Sequence, residues 1–265
     1  MAEVHGDSAT GDAVLGVSSA DGHAGVAGVN DEGNGPGVFG RSERHDGVQG
    51  FSKDFNRSGV VGTNTVGVGV LGQSTNNDGV RGVTQDFNRS GVVGTNAAGG
   101  VGVLGQSVGN GPAGRFIGRV EVTDDIQLTN QDCAEDFDMS EAEQIEPGAV
   151  TVLNQEGDLQ QSQEPYDKCV AGIVSGAGGY RPGITLGKQE SQDNRIPVAL
   201  LGKVYCKVDA EYSPIEVGDL LTTSSTPGHA MKAADPVKAF GAVLGKALRP
   251  LKEGQGLIPV LVALQ

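Results

Sequence analysis

The sequence predicts an all-β protein: a glycine-rich, three-sided β-helical stem followed by a compact β-barrel or sandwich domain. Three observations carry this. Glycine makes up 44 of the 265 residues, far above the roughly 7% of average usage. A Gly-Val-x-Gly unit recurs through the first part of the chain. After it come short alternating apolar runs bounded by turn residues, with no sustained helical period. Trp is absent and aromatic residues are 4%, so a core has to be built from Val, Leu, Ile and Ala. The glycines follow no three-residue period and prolines number only 11, which excludes a collagen helix.

Residues 1–12 read as an N-terminal extension. The opening MAEVHGDSATGDAV has neither a basic start nor an apolar run, so synthesis in the cytoplasm without a signal peptide is expected.

The stem is expected over 13–115. Units start at Ala13 (AVLG), Gly25, Gly37, Gly47, Gly59, Gly69, Gly79, Gly91 and Gly102, at intervals of 12, 12, 10, 12, 10, 10, 12 and 11 residues. A repeat of this regularity marks a repeat architecture. Each unit holds one short strand, with the valine on one face and the next residue on the other. The glycines serve corners that need positive φ, or close backbone approach. Glycine at this density excludes a helix. The segment DFNRSGVVGTN begins at Asp54 and again at Asp86, 32 residues later, which spans three units. One turn of the winding is therefore three-sided.

Two assemblies satisfy that count. A single chain can wind as a solenoid, or three chains can interwind, each rising about 14 Å per turn. The trimer is preferred, because a lone chain would have a core of little more than single valines and exposed strand edges. Interwound, the units would make a stem on the order of 43 Å long. The repeated corners supply candidate binding residues, Phe55, Asn56 and Arg57 in one copy and Phe87, Asn88 and Arg89 in the other. The alternative is that each Phe plugs a wide corner while Asp and Arg pair locally.

At 116–130 the rhythm changes to FIGRVEVTDDIQL, read as a β connector of two short strands around a Thr-Asp-Asp turn. The C-terminal β domain is expected over 131–265, with strands near 149–153, 170–175, 197–208, 219–223, 240–247 and 257–264. DCAEDFDMSEAE, before them, reads as a solvated acidic turn.

Little other chemistry is encoded. The net charge of −14 disfavours a phosphate backbone, so no nucleic-acid partner is expected. Cys133, Cys169 and Cys206 are widely spaced and read as small buried hydrophobes, not as a metal or disulfide set. The glycine-rich fragments open no helix, so the nucleotide reading fails. His5, His23, His45 and His229 are scattered, and His229 reads as a turn residue. No apolar run is long enough to span a bilayer as a helix. No metal and no cofactor are expected.

The segments AGRFIGRVEVTDDIQLTNQDCAEDF, YDKCVAGIVSG, VALLGKVYCKVD, IEVGDLLTTSSTPGHAMKA and GAVLGKALRPL resemble the C-terminal domains of phage tail-fibre and neck-appendage-type proteins. The resemblance covers about 114–265. It implies a homotrimeric fibre ending in a small β domain, which in the G2-peptidase type is an intramolecular chaperone that cuts itself from the fibre. DCAEDF resembles that family's Asp-Tyr-Ala-Glu-Tyr-Phe signature, which would place acid–base chemistry on Asp132 and Glu135. Cys133 and Asp136 depart from the signature by replacing its aromatic residues. The expectation is a structural, non-enzymatic fibre or spike component of a phage or phage-like contractile injection particle. Its expected partners are further copies of itself, baseplate or collar proteins, and a surface glycan or receptor. Self-cleavage at 131–136 and a carbohydrate-binding module stand as alternatives, the latter short of aromatic platforms with four Tyr and no Trp.

Overall fold

The computed structural model describes residues 11, 12, 14–20, 22–31, 34–54, 56–140, 145–188 and 194–263. The chain divides into two compact units, Met1–Gly114 and Arg115–Gln265.

In the first unit the repeat is a chain of pinched loops. The last glycine of each Gly-Val-x-Gly unit meets the first glycine of the next: Gly28 with Gly37, Gly50 with Gly59, Gly62 with Gly69 and Gly82 with Gly91. A Cβ on Gly59 would lie 2.7 Å from the Gly50 carbonyl oxygen, and one on Gly50 would collide with the Gly59 carbonyl and a Val60 methyl. Both ends of the motif must therefore be glycine. The reason is close approach and not a left-handed backbone: in this unit, among the described residues, only Gly22 and Gly99 have positive φ, and neither belongs to the motif. Asx turns hold the loop tips. Asn64 Oδ1 accepts from the amides of Val66 (2.9 Å) and Gly67 (2.6 Å), and Asn96 Oδ1 accepts from Ala98 N at 2.9 Å.

The strand expected in each unit does not form within a single chain, and neither do the two short strands expected at 116–130. The cause is the same in both places. Among the described residues up to 130, no segment of the chain forms a strand ladder with another.

Among the described residues the second unit holds all the strands: β1 (Asp132–Asp138), β2 (Val150–Leu153), β3 (Leu159–Gln161), β4 (Val170–Val174), β5 (Pro182–Leu186), β6 (Arg195–Asp209), β7 (Leu220–Thr223), β8 (Ala230–Lys232), β9 (Val243–Ala247) and β10 (Gln255–Ala263), with a short helix, α1 (Pro236–Ala239), between β8 and β9. The long strand β6 organises it. Its C-terminal half pairs antiparallel with β10 and parallel with β8, and the order β10-β9-β7-β8-β6 closes a barrel. Its N-terminal half pairs with β1 and β4, and β2 and β3 extend that sheet beyond β4. Between the halves, Gly202 has φ +107, and a Cβ there would come within 2.9 Å of the Asp132 Cα. No other residue type fits a bend at that position.

Period-two alternation fills the barrel. Val204, Cys206 and Val208 of β6 face Ile258, Val260 and Val262 of β10, with Leu221 and Leu244 closing the cluster. Of the three cysteines only Cys206 is buried. Cys133 is half-buried and Cys169 exposed, so the reading of all three as buried hydrophobes holds for one.

Two further expectations are corrected. The acidic segment from Asp132 is the strand β1 and not a turn. Ala134 is fully buried, β1 pairs with both β5 and β6, and Arg195 binds the strand by donating to the Asp136 carbonyl (2.7 Å) and pairing with Asp138 (3.1 Å). The strand expected at 240–247 starts at Val243. Asp235 caps the helix before it, accepting from the amides of Val237 and Lys238, and Pro236 fits the first turn.

Candidate functional site

The largest unexplained surface is the apolar row of the repeat. Val48, Val60, Val70, Val92 and Val103 occupy equivalent motif positions and are 66–71% exposed. The next residue is often large and apolar too: Phe39, Val61, Leu71, Val93 and Leu104 are 71–79% exposed. Such near-constant exposure describes one environment repeated along the unit. The backbone beneath is equally bare. Among the described residues up to 128, backbone-to-backbone hydrogen bonds run from His23 N to Ala20 O, from Arg57 N to Asp54 O and from Arg89 N to Asp86 O, all local turns. Exposed apolar side chains over backbone with only local hydrogen bonds make this row the candidate interaction surface.

The repeated corners superimpose in their chemistry. Asp54 Oδ1 accepts from Asn56 N, and Asp86 Oδ1 accepts from Asn88 N, both at 2.9 Å. The arginine amides close the turns onto the Asp54 and Asp86 carbonyls. Phe87 is 96% exposed and plugs nothing within its own chain. Phe55 lies outside the described residues. Among the described residues neither Arg57 nor Arg89 forms an ion pair, so the local Asp–Arg pairing considered from sequence does not form there. Each corner presents its Asn and Arg side chains outward, and the second adds Phe87.

At the junction, Asp132 and Glu135 are separated rather than joined. They stand three residues apart on β1, whose side chains alternate, so they point to opposite faces. Asp132 is 4% exposed, and neither carboxylate oxygen has a hydrogen-bond partner among the described residues. Burial pushes its carboxyl above the usual carboxylate value; the Ser175 hydroxyl and the residue's own amide are near enough to offset this in part, but neither meets hydrogen-bond geometry with the carboxylate. Ser175 is likewise buried with its Oγ unpartnered. Sequence reasoning found Asp132 but not Ser175, which β4 and β6 bring to it from 43 positions away. Nothing in SGAGG marks that serine.

The β domain also carries clefts that no motif announced. One, of about 560 Å³ beside the β2–β3 hairpin, is lined by polar side chains such as Asn154, Gln155, Gln160, Gln163 and Glu164. Among the described residues no cluster of His, Cys, Asp and Glu could hold a metal, and no helix is long and apolar enough to cross a membrane.

No protein-family model matches the chain, and no curated protein matches it. Solved structures similar to the chain include two of one phage protein. One is the pre-mature bacteriophage phi29 gene product 12, at 16% identity and a TM-score of 0.42, with 55% of this chain and 23% of that chain covered. The other is a C-terminal fragment of the same gene product, at 17% identity and a TM-score of 0.34, with 50% of this chain and 100% of that chain covered. The chain thus spans under a quarter of the first structure's length. At these levels the functional reading rests on the chain's own residues.

Burial pushes the Cys206 thiol far up, which makes it inert as a nucleophile at neutral pH. Asp209 is the reverse case. Burial acts to raise its carboxyl, but the Thr226 hydroxyl (2.7 Å), the Glu211 amide (2.9 Å) and the Gln255 amide (3.2 Å) hold it below the usual value. Asp209 thereby ties the end of β6 to the 224–229 turn and to β10, which is a structural role.

Proposed function

We propose that the protein is a structural fibre or spike component of a phage or phage-like particle, and that it works as a homotrimer. One observation carries the reading. The repeat sets its valines in an exposed row on backbone that has only local hydrogen bonds, an arrangement that becomes stable when equivalent strands of other copies supply the ladder and cover the row. The 32-residue return of DFNRS, three units long, favours three chains over two. Three corners of the same kind would then ring the stem, and the exposed Asn56, Arg57, Phe87, Asn88 and Arg89 would act together in attachment, with the avidity of repeated sites. Baseplate or collar proteins would hold one end.

The test is mass in solution by light scattering across a dilution series. Three times 27.0 kDa is expected. A folded single chain at every concentration rejects the trimer.

Asp132 favours a second reading, in which the β domain is a chaperone that cuts the chain once at the junction. A buried carboxyl held toward its protonated form, beside an unpartnered Ser175, is the kind of group that can donate a proton to a peptide bond. Glu135, on the opposite face, takes no part. A denaturing gel decides: one band of 27.0 kDa rejects cleavage, and two bands divided near Asp132 support it.

A further inference from the structure

The four tyrosines fall into two pairs. Tyr180 and Tyr205 pack on each other, with ring centroids 4.8 Å apart. Tyr166 and Tyr212 instead line an open groove of about 650 Å³, together with Lys168, Ser225, Met231 and Lys238.

Tyr166 is held in an unusual way. Among the described residues it is the only non-glycine with a positive φ, at +61, a region that bulky side chains rarely adopt and that marks strain retained for a purpose. Its amide donates to the Thr223 carbonyl at 3.2 Å, and the following amide, of Asp167, donates to Thr223 Oγ1 at 2.8 Å. Its hydroxyl accepts from the Asp235 amide at 3.0 Å. The ring is thus fixed at both ends and stands in the groove wall as a rigid plate. Tyr212, 52% exposed, is tethered more loosely, with its hydroxyl 3.4 Å from Thr226 Oγ1.

The charge around these rings is out of character for the molecule. The chain carries a net −14, yet the groove lining contains two lysines and no carboxylate. Lys238 Nζ stands 5.9 Å from the Tyr166 ring centroid. Neither Lys168 nor Lys238 is paired with a carboxylate among the described residues. Unpaired ammonium groups beside aromatic plates in a concave site suit a ligand with an apolar face and a negative charge.

We propose that this groove binds an anionic saccharide. A sugar ring lies against Tyr166 and Tyr212, and its carboxylate or phosphate meets Lys168 and Lys238. This goes beyond the fibre reading: the groove is built wholly within one chain's β domain, far in sequence from the repeated corners, and its binding is measured separately from assembly.

The test uses the full chain and saturation-transfer NMR, followed by titration calorimetry. The probes are an oligogalacturonate for the carboxylate class, mannose 6-phosphate for the phosphate class and a neutral maltooligosaccharide as control. At least one anionic probe should bind with a dissociation constant of about a millimolar or below, and binding should weaken as salt rises. Which anionic probe binds identifies the source of the charge. The double change Lys168→Gln with Lys238→Gln should weaken binding roughly tenfold or more, and Tyr212→Ala should weaken it comparably. Both alter exposed groups, so an unchanged melting temperature would show that the fold is intact. The proposal is overturned if neither anionic probe binds, if the neutral sugar binds equally well, or if the double lysine variant binds like the parent. The stem's oligomeric mass, read on the same samples, reports on the fibre reading independently.

Discussion

Val60 and Val204 are the same residue, yet Val60 is 68% exposed and Val204 is fully buried. Val204 sits in a strand with a partner on each side, because β6 closes a ring with β10 and β8. Val60 sits beside a glycine crossing whose only neighbours are its own loop. The repeat therefore encodes corner geometry without encoding burial, while the β domain encodes both. On the proposed reading, the chain keeps its concentration-independent stability in one unit and makes order in the other conditional on further copies.

The sharpest way to break this contrast is to charge the exposed row. Val70→Asp with Val92→Asp should be harmless to a solitary chain, since both positions are exposed. Interwound chains would carry several carboxylates onto one apolar axis, which is prohibitive. The expected outcome is a fall from three chains to one by light scattering, with the β domain still melting cooperatively. A variant that remains three chains in mass would show that the row is not the assembly surface.

A change of comparable chemistry in the β domain should act differently. Leu221 is fully buried in the barrel. Leu221→Ala should lower the β domain's stability by about 2–5 kcal/mol. The loss should not depend on protein concentration, and the mass at low temperature should be unchanged. A concentration-dependent loss would mean that the barrel, too, is completed by other chains.

The two units also differ in how far their sequences announced them. The repeat spacing located every pinched loop, because glycine is irreplaceable where Gly50 crosses Gly59. Of the two reasons the sequence offered for these glycines, positive φ and close backbone approach, the second is the cause. In the β domain, the strands read from the sequence were those rich in Val, Ile, Leu and Thr, such as the one carrying Val204, Cys206 and Val208. β1 escaped notice because Asp132, Glu135, Asp136 and Asp138 hide a single buried Ala134, and its strand character comes from β5, β6 and Arg195, which are remote in sequence. The Tyr166–Tyr212 groove was illegible for a related reason. Its residues are spread from 165 to 238, and nothing local to PYDK signals a left-handed tyrosine.

A smaller effect tests the crossing itself. A Cβ at position 59 would meet backbone atoms of Gly50 at 2.7 and 3.0 Å, whereas one at Gly109 would meet nothing within 4 Å. Gly59→Ala should therefore strain the repeat by about 1–3 kcal/mol and lower its calorimetric transition. Gly109→Ala should be neutral or slightly stabilising, by restricting the unfolded chain. If both variants melt alike, the pinch does not set the repeat's geometry.

The smallest effect concerns Asp132, a buried acid of the β domain whose carboxylate oxygens have no hydrogen-bond partner among the described residues. Its folded carboxyl is raised above the unfolded value by burial, so the native state prefers the protonated form. Its contribution is then most favourable below the unfolded pKa of about 3.9 and is lost as pH rises through the raised folded value. Asp132→Asn removes the charge while keeping the shape. It should raise the β domain's melting temperature at pH 7, and the gain should shrink toward zero as pH is lowered past the ordinary carboxylate range. An equal gain at both pH values would mean that the benefit is in packing and not in charge. A loss at pH 7 would mean that the buried carboxylate has a partner that holds it ionised. Because Asn cannot donate a carboxylic proton, the same variant would also abolish any cleavage at the junction, so a stabilised and uncut Asp132→Asn chain beside a cut parent would show that the strand keeps this unpaired acid for chemistry.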